Sequence, residues 1–140
     1  MKTSFRPAAF SLLAAAALAL LAGCSTGPYA AKDTTKYNLE QTEKFVLMDK
    51  DVQHSVTSTG IQHRINDDGR LEVVANIKNR EDRRIQVQVS CVFKDDQGFS
   101  TGDETPWRTL ILGENTTEAV NFKSMNNQAR TFTIRVRQAR

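Results

Sequence analysis

The sequence holds few of the residues that carry catalytic or metal chemistry. Its 140 residues include two cysteines, two histidines and one tryptophan. The patterns Gly-x-Ser-x-Gly, His-Glu-x-x-His and Cys-x-x-Cys are absent, and so is a glycine-rich phosphate loop. Hydrolase, zinc-protease, thiol-redox and nucleotide-binding signatures are thus all missing. The sequence predicts a protein that is not an enzyme and that holds no metal and no cofactor.

Charge of one sign is not in large excess either. The chain has 19 lysine and arginine residues against 16 aspartate and glutamate residues. Lys2 and Arg6 precede an apolar run at the N-terminus, and without them the balance is 17 to 16. A nucleic-acid-binding domain is expected to be strongly basic, so this balance argues against a nucleic-acid partner. No pattern indicates a small-molecule substrate.

Long hydrophobic runs are missing except near the N-terminus. Residues 8–21 are apolar apart from Ser11, and as a helix they would extend about 21 Å. The hydrocarbon core of a bilayer is roughly 30 Å thick, so the run is short for a permanent span. A basic start, a short apolar run and small residues before Cys24 are typical of a secretory signal peptide. We predict a signal peptide over residues 1–23.

The residues around Cys24 make this prediction more specific. Leu21-Ala22-Gly23-Cys24 resembles the lipobox of bacterial lipoproteins, in which the cysteine thiol is diacylated and the new amino group is acylated. Two or more acyl chains give stable anchoring, whereas one chain binds marginally. In proteobacterial lipoproteins an aspartate after the cysteine favours the inner membrane. Ser25 stands there in this chain, so the resemblance implies a lipid anchor in the outer membrane, on its periplasmic face.

Residues 24–42 are predicted to be the lipidated cysteine and a flexible tether. They are mostly small and polar, they include Gly27-Pro28, and they show no apolar periodicity. A coil of about fourteen such residues spans roughly 20 Å root-mean-square. This tether would hold a domain close to the membrane without fixing its orientation. If Cys24 is acylated, Cys91 is the only remaining thiol, and no disulfide can form within the chain.

From about residue 43 onward the apolar residues recur with a period of two, which is the strand pattern. The seven runs are residues 45–48, 52–65 with a bend at Gly60, 70–79, 85–93, 107–112, 117–123 and 131–137. Seven short strands separated by turn residues predict an all-β fold, an immunoglobulin-like antiparallel β-sandwich over residues 43–140. A small closed barrel is the alternative. Cys91 lies in phase with the apolar face of its strand, which predicts a buried, unreactive thiol.

Several segments of this predicted domain resemble one known family. They are Phe93–Gly98, Pro106–Arg108, Leu110–Glu114 and the closing strand Phe132–Arg137. Together with the lipobox, they are similar to the YcfL-like outer-membrane lipoproteins of unknown function. Members often have an Ala-Pro-Asn-like turn before the last strand, whereas Ser124–Asn127 lacks the proline. The resemblance implies an immunoglobulin-like sandwich that faces the periplasm and has no established activity.

The histidines and acidic residues are weak candidates for a site. His54 and His63 share parity with apolar neighbours in a predicted strand, so we expect hydrogen-bonded core residues rather than metal ligands. The turns Asp67-Asp68-Gly69 and Asp95–Gly98 lack the spacing of a calcium loop, and turn conformation explains them. Asp103-Glu104 is a pair of carboxylates, but neighbours along a chain need not converge in space.

Trp107 and the arginines are the remaining candidates. Trp107 lies where a long loop enters a strand, a position from which tryptophan usually caps the sandwich core. Alternatively, Trp107 and Arg108 anchor a partner, because both residue types are enriched at binding hot spots. Arg135 and Arg137 share the outward face of the last strand, either as a solvated guard against sheet pairing or as an anion-binding patch. Other arginines are Arg80, Arg83, Arg84, Arg130 and Arg140.

These observations favour a non-catalytic envelope lipoprotein whose β-sandwich binds or supports another envelope component. One alternative is a regulator of a peptidoglycan synthase that uses Trp107 and the arginines as its contact. Another is a small hydrolase of envelope glycans, which needs Asp103 or Glu104 near a further carboxylate in a cleft. The leading hypothesis implies a membrane contact through the lipid anchor and a protein or peptidoglycan partner.

Overall fold

The computed structural model describes residues 43–140, which form eight strands and one short helix. The elements are β1 (Phe45–Leu47), α1 (Lys50–Ser55), β2 (Val56–Ile65), β3 (Leu71–Asn79), β4 (Ile85–Lys94), β5 (Ser100–Glu104), β6 (Arg108–Leu112), β7 (Thr117–Lys123) and β8 (Thr131–Gln138). The predicted signal peptide, the lipobox with Cys24 and the tether lie outside the described residues. Within residues 43–140, no helix is long and apolar enough to cross a membrane.

The strands form two sheets that share one apolar core. Sheet A has the order β1-β8-β4, with β5 and β6 both pairing with the other side of β4, and sheet B has the order β2-β3-β7. All pairs are antiparallel except β1 with β8. The predicted β-sandwich is confirmed, and the two separate sheets decide against a closed barrel.

The eighth strand, β5, is the one that the sequence pattern does not predict. It reads Ser-Thr-Gly-Asp-Glu, without apolar alternation. Its pairing with β4 is irregular, with a register shift between Val92 and Lys94. Gly102 within it has φ of 77°, a conformation that favours glycine. Pairing with β4 therefore places this segment in the sheet, whereas its own residues indicate a loop.

The predicted strand over residues 52–65 is wrong at its start. Residues Lys50–Ser55 form α1, and β2 begins at Val56. The Val56 N–H donates to the Val52 carbonyl, and both side chains enter the core. Residues four apart share a helix face, so one helical turn buries the same two valines that a strand would bury. The predicted bend at Gly60 coincides with a register shift in β2.

The core consists of alternate residues of the central strands, as the period of two predicts. Phe93 on β4 lies beside Phe132 on β8, and neither ring is more than 2% exposed. Sheet B closes over them with alternate residues of β3 and with Val120 and Phe122 of β7. The buried set on the three longest alternating strands is Leu71, Val73, Ala75, Ile77, Val87, Val89, Cys91, Phe93, Phe132, Ile134 and Val136.

Cys91 lies inside this core with no exposed surface, so the predicted buried thiol is confirmed. Burial raises the pKa of Cys91 to about 12, because the apolar surroundings disfavour the thiolate. The unfolded chain ionises the thiol at a pKa near 8.5. Stability linked to this group is therefore intact below about pH 8.5 and falls as the pH rises from there towards 12.

We expect Cys91 to resist thiol reagents in the folded protein. In a Cys24→Ser variant, iodoacetamide at pH 8 should leave the native protein unlabelled, because the thiol is neutral and has no exposed surface. The same protein in guanidinium chloride serves as the control and should be labelled once. Mass spectrometry reads the result, and rapid labelling of the native protein would contradict the buried position.

Asn79, at the end of β3, is a fully buried polar residue that connects two loops. Its Nδ2 donates to the carbonyl oxygens of Arg83 and Gly113, each at 2.7 Å, and its Oδ1 accepts from the Glu81 N–H at 2.9 Å. One side chain thus satisfies backbone groups of both the β3–β4 loop and the β6–β7 loop. Buried backbone groups without partners are costly, so Asn79 fixes this end of the sandwich.

Asn79→Ala should lower the free energy of unfolding by about 3 kcal/mol, because it leaves two carbonyls and one N–H without their partner. Asn76→Ala is the matched control: Asn76 lies on the same strand but is exposed, and its loss should change stability by less than about 0.5 kcal/mol. Urea unfolding followed by circular dichroism measures both. Equal effects of the two variants would show that the three hydrogen bonds contribute nothing.

Candidate partner-binding surface

The face of sheet A that points away from the core is polar and carries two of the predicted arginines. Side chains alternate between the faces of a sheet, so the residues between the core positions of β4 and β8 lie on this outer face. The strand register places Arg137 beside Gln88 and Arg135 beside Ser90. Arg135 and Arg137 therefore share the outward face, as the alternation predicts.

Trp107 joins these arginines from the connection between β5 and β6. Arg108, the first residue of β6, pairs with Val89, and one further step back along the chain brings Trp107 level with Ser90 on the outer face. The Arg137 guanidinium lies 3.9 Å from the Trp107 ring centroid, and that of Arg135 lies 5.0 Å from it. Both distances are within the range of cation–π attraction.

Hydrogen bonds hold the two guanidinium groups in place. Arg135 Nη2 donates to the Glu104 carboxylate and, at 3.1 Å, to the Ser90 hydroxyl. Arg137 Nε donates to Gln88 Oε1 at 2.9 Å. We call Trp107, Arg135 and Arg137 with these three partners the Trp107 cluster.

Arg135 is the most constrained member of the Trp107 cluster. Its side chain is 13% exposed, whereas that of Glu104 is 47% exposed. Its Nε–H is buried and has no hydrogen-bond partner. Trp107 itself is half-buried on the surface and does not belong to the core. The cluster thus presents an aromatic ring and a guanidinium pair in a fixed arrangement.

Trp107 does not cap the core, which corrects the expected role. The parity of β6 explains this, because Trp107 and Arg108 follow one another and their side chains leave opposite faces of the sheet. Arg108 lies at the edge of the sandwich, 5.8 Å from the Phe122 ring centroid, and donates to the Asn121 carbonyl at 3.4 Å. The structure brings together three of the four predicted binding residues and separates Arg108 from them.

The remaining arginines lie elsewhere. Arg83 and Arg84 line a cavity of about 270 Å³ between α1 and the β3–β4 loop. Arg83 pairs there with Glu81, which lowers the pKa of that carboxyl. The cavity walls carry Asp51 and Glu81 against two arginines, so their charges cancel, whereas the Trp107 cluster has two arginines against the single carboxylate of Glu104. The cavity is therefore a weaker anion site than the cluster. Arg80 and Arg140 are exposed.

Both histidines differ from the expected core position. His54 lies on α1 and His63 on β2, and both are exposed. His63 has the parity of the inner face, but β2 is an edge strand, so the ring stays exposed even though its centroid lies 5.5 Å from that of Phe132. Among residues 43–140, no three His, Cys, Asp or Glu side chains are grouped as metal ligands would be.

The acidic candidates are engaged in holding loops and side chains. Asp95 Oδ1 accepts from the N–H groups of Gln97 and Phe99, both at 2.9 Å, which is an Asx turn. Asp103, although buried, accepts from the backbone N–H groups of Met125 and Asn126. Glu104 pairs with Arg135. These hydrogen bonds and this ion pair give each of the three carboxylates a structural role.

One family model spans nearly all of the described domain. Residues 43–138 match the family model described as a protein of unknown function, DUF1425. This chain belongs to the DUF1425 family. No curated protein matches the chain.

Two solved structures share the fold of this DUF1425 chain. The Campylobacter jejuni protein cj0090 is 18% identical, with a TM-score of 0.59, over 69% of this chain and 98% of that one. A DUF1425 family member from Shewanella sp. pv-4 is 22% identical, with a TM-score of 0.55, over 61% of this chain and 79% of that one. At these identities the comparison speaks for the sandwich fold alone.

Proposed function

We propose that this DUF1425 protein is a non-catalytic outer-membrane lipoprotein, anchored by acyl chains at Cys24, whose sandwich binds another envelope component through the Trp107 cluster. The anchor is supported by Leu21-Ala22-Gly23-Cys24, the preceding apolar run and the resemblance to YcfL-like lipoproteins. The engagement of Asp103 and Glu104 in structural bonds supports a binding role over a catalytic one. The domain would face the periplasm.

One observation carries the binding proposal, namely that Trp107 stacks on Arg135 and Arg137 outside the core. Tryptophan and arginine supply a disproportionate share of binding energy at protein interfaces. The hydrogen bonds of the cluster fix both guanidinium groups before binding, which reduces the entropy lost on association. The cluster has two guanidinium groups against the single carboxylate of Glu104, and this excess of positive charge favours an acidic partner. A peptidoglycan synthase remains one candidate partner, with this surface as its contact.

Trp107→Ala should abolish most partner binding. A photo-crosslinking amino acid at Thr109, which is exposed on the outer face beside Gln88, should give an adduct in intact cells. Trp107→Ala should reduce this adduct about tenfold or more, as loss of a hot-spot residue does. Arg108→Ala alters the neighbouring residue, whose side chain lies on the opposite face of the sheet, and should change the adduct yield less than about twofold. Equal yields from all three proteins would contradict the proposed surface.

The anchor has its own test. Cys24→Ala should remove labelling by a palmitate analogue and move the protein out of the membrane fraction, because the acylated residue is lost. Cys91→Ala is the control, since Cys91 is buried and should be irrelevant to both readouts. An unlabelled wild-type protein, or a Cys24→Ala variant that stays in the membrane fraction, would overturn the assignment.

A further inference from the structure

One end of the sandwich carries three of the four large hydrophobic side chains that residues 43–140 leave exposed. Ile65 is 53% exposed, Phe99 64% and Met125 83%. We call this end, formed by residues 65–70, 95–99 and 124–130, the entry end. The fourth residue, Ile111, is 50% exposed on the outer face of sheet A, beside Gln86 near the opposite end of β4.

The three segments of the entry end are bonded to one another and to the strands. The Arg130 N–H donates to the Lys94 carbonyl at 2.8 Å, which joins the last loop to the β4–β5 turn. Lys123 at the end of β7 forms an ion pair with Asp68, 3.1 Å away, in the β2–β3 turn. The exposed apolar side chains are thus presented by a fixed framework rather than by isolated loops.

The chain also enters the domain at this end. Because β1 runs parallel to β8, its first residue, Phe45, lies beside Ile134 near the start of β8. The Glu43 carbonyl accepts from the Thr133 hydroxyl at 3.0 Å. β8 begins directly after the 124–130 loop, so the segment that carries Cys24 joins the domain next to the exposed apolar residues.

The charges of the entry end nearly balance. Among the side chains that are not buried, five acidic and four basic residues lie on its segments and at the adjoining strand ends. They are Glu43, Asp67, Asp68, Asp95 and Asp96, with Lys44, Arg70, Lys123 and Arg130. A nearly neutral surface with protruding apolar side chains is suited to a lipid surface of low net charge, where apolar burial rather than charge provides the attraction.

We propose that the entry end lies on the lipid surface to which the chain is anchored, with Phe99 and Met125 in the membrane interface. This inference rests on the proposed acylation of Cys24. A short flexible tether gives an effective concentration in the millimolar range, so an intrinsic affinity of only about 1 mM suffices to hold the end down. The domain then stands upright, the outer face of sheet A stays accessible from the side, and α1 points away from the bilayer.

The test uses fluorophores on the acylated protein reconstituted into vesicles of phosphatidylethanolamine and phosphatidylcholine. Phe99→Cys carries an environment-sensitive dye, and Ile111→Cys is the matched control on another large apolar residue that is at least half exposed. Cys91 is buried and Cys24 is blocked by lipid, so each variant has one reactive thiol. A quencher on the acyl chains of the lipid should remove more than about half of the emission at position 99, since interfacial groups lie about 5–10 Å deep.

The emission at position 111 should be unchanged, and Met125→Cys gives an independent second position that should behave like position 99. Flotation of the same samples separates the two proposals. Protein that floats with the vesicles but shows no quenching at positions 99 and 125 overturns the membrane-facing end and leaves the anchor intact. Protein that does not float overturns both. Equal quenching at positions 99 and 111 shows non-specific adsorption and also overturns the orientation.

Discussion

The pairing of β4 with β8 is the constraint on which the rest of the structure depends. Eight consecutive residues of β4 pair with β8 in one unbroken register. A shift by one residue would turn Arg135 and Arg137 into the core and expose Ile134 and Val136, at a cost that no other pairing offsets. The same register therefore specifies two things at once, the apolar interior and the positions of the guanidinium groups on the opposite face.

The sequence predicts those strands in which apolar residues alternate, and it misses elements that depend on their neighbours. β3, β4 and β8 are recognisable because burial on one face demands a period of two. β5 is polar and becomes a strand only because β4 offers it an unpaired edge. Residues 50–55 form one and a half turns of helix, and Val52 and Val56 fit a helix or a strand equally well. His63 shows that alternation along a strand predicts the face of the sheet on which a side chain lies, but not how deeply that side chain is buried. Its burial depends on whether the strand lies at an edge of the sheet.

The candidate surface was predictable in part, because side chains alternate between the two faces of a strand. Alternation along β8 places Arg135 and Arg137 outward, and alternation along β6 is enough to separate Trp107 from Arg108. The partners that hold the cluster are different. Glu104 meets Arg135 only because β5 and β8 lie on opposite sides of β4, and no local pattern reports that order. Sequence reasoning thus recognises which side chains share a face, whereas strand order decides which of them touch.

The parallel β1 has a mechanical consequence. The Lys44 carbonyl accepts from Ile134, and the Met48 N–H donates to Val136, both at 2.9 Å, so the short strand is bonded along its whole length. A force that pulls the chain at Glu43 away from the domain acts along the axis of β1. Such a load shears these bonds together instead of peeling them one at a time, so the first strand is a firm attachment point for the proposed N-terminal anchor.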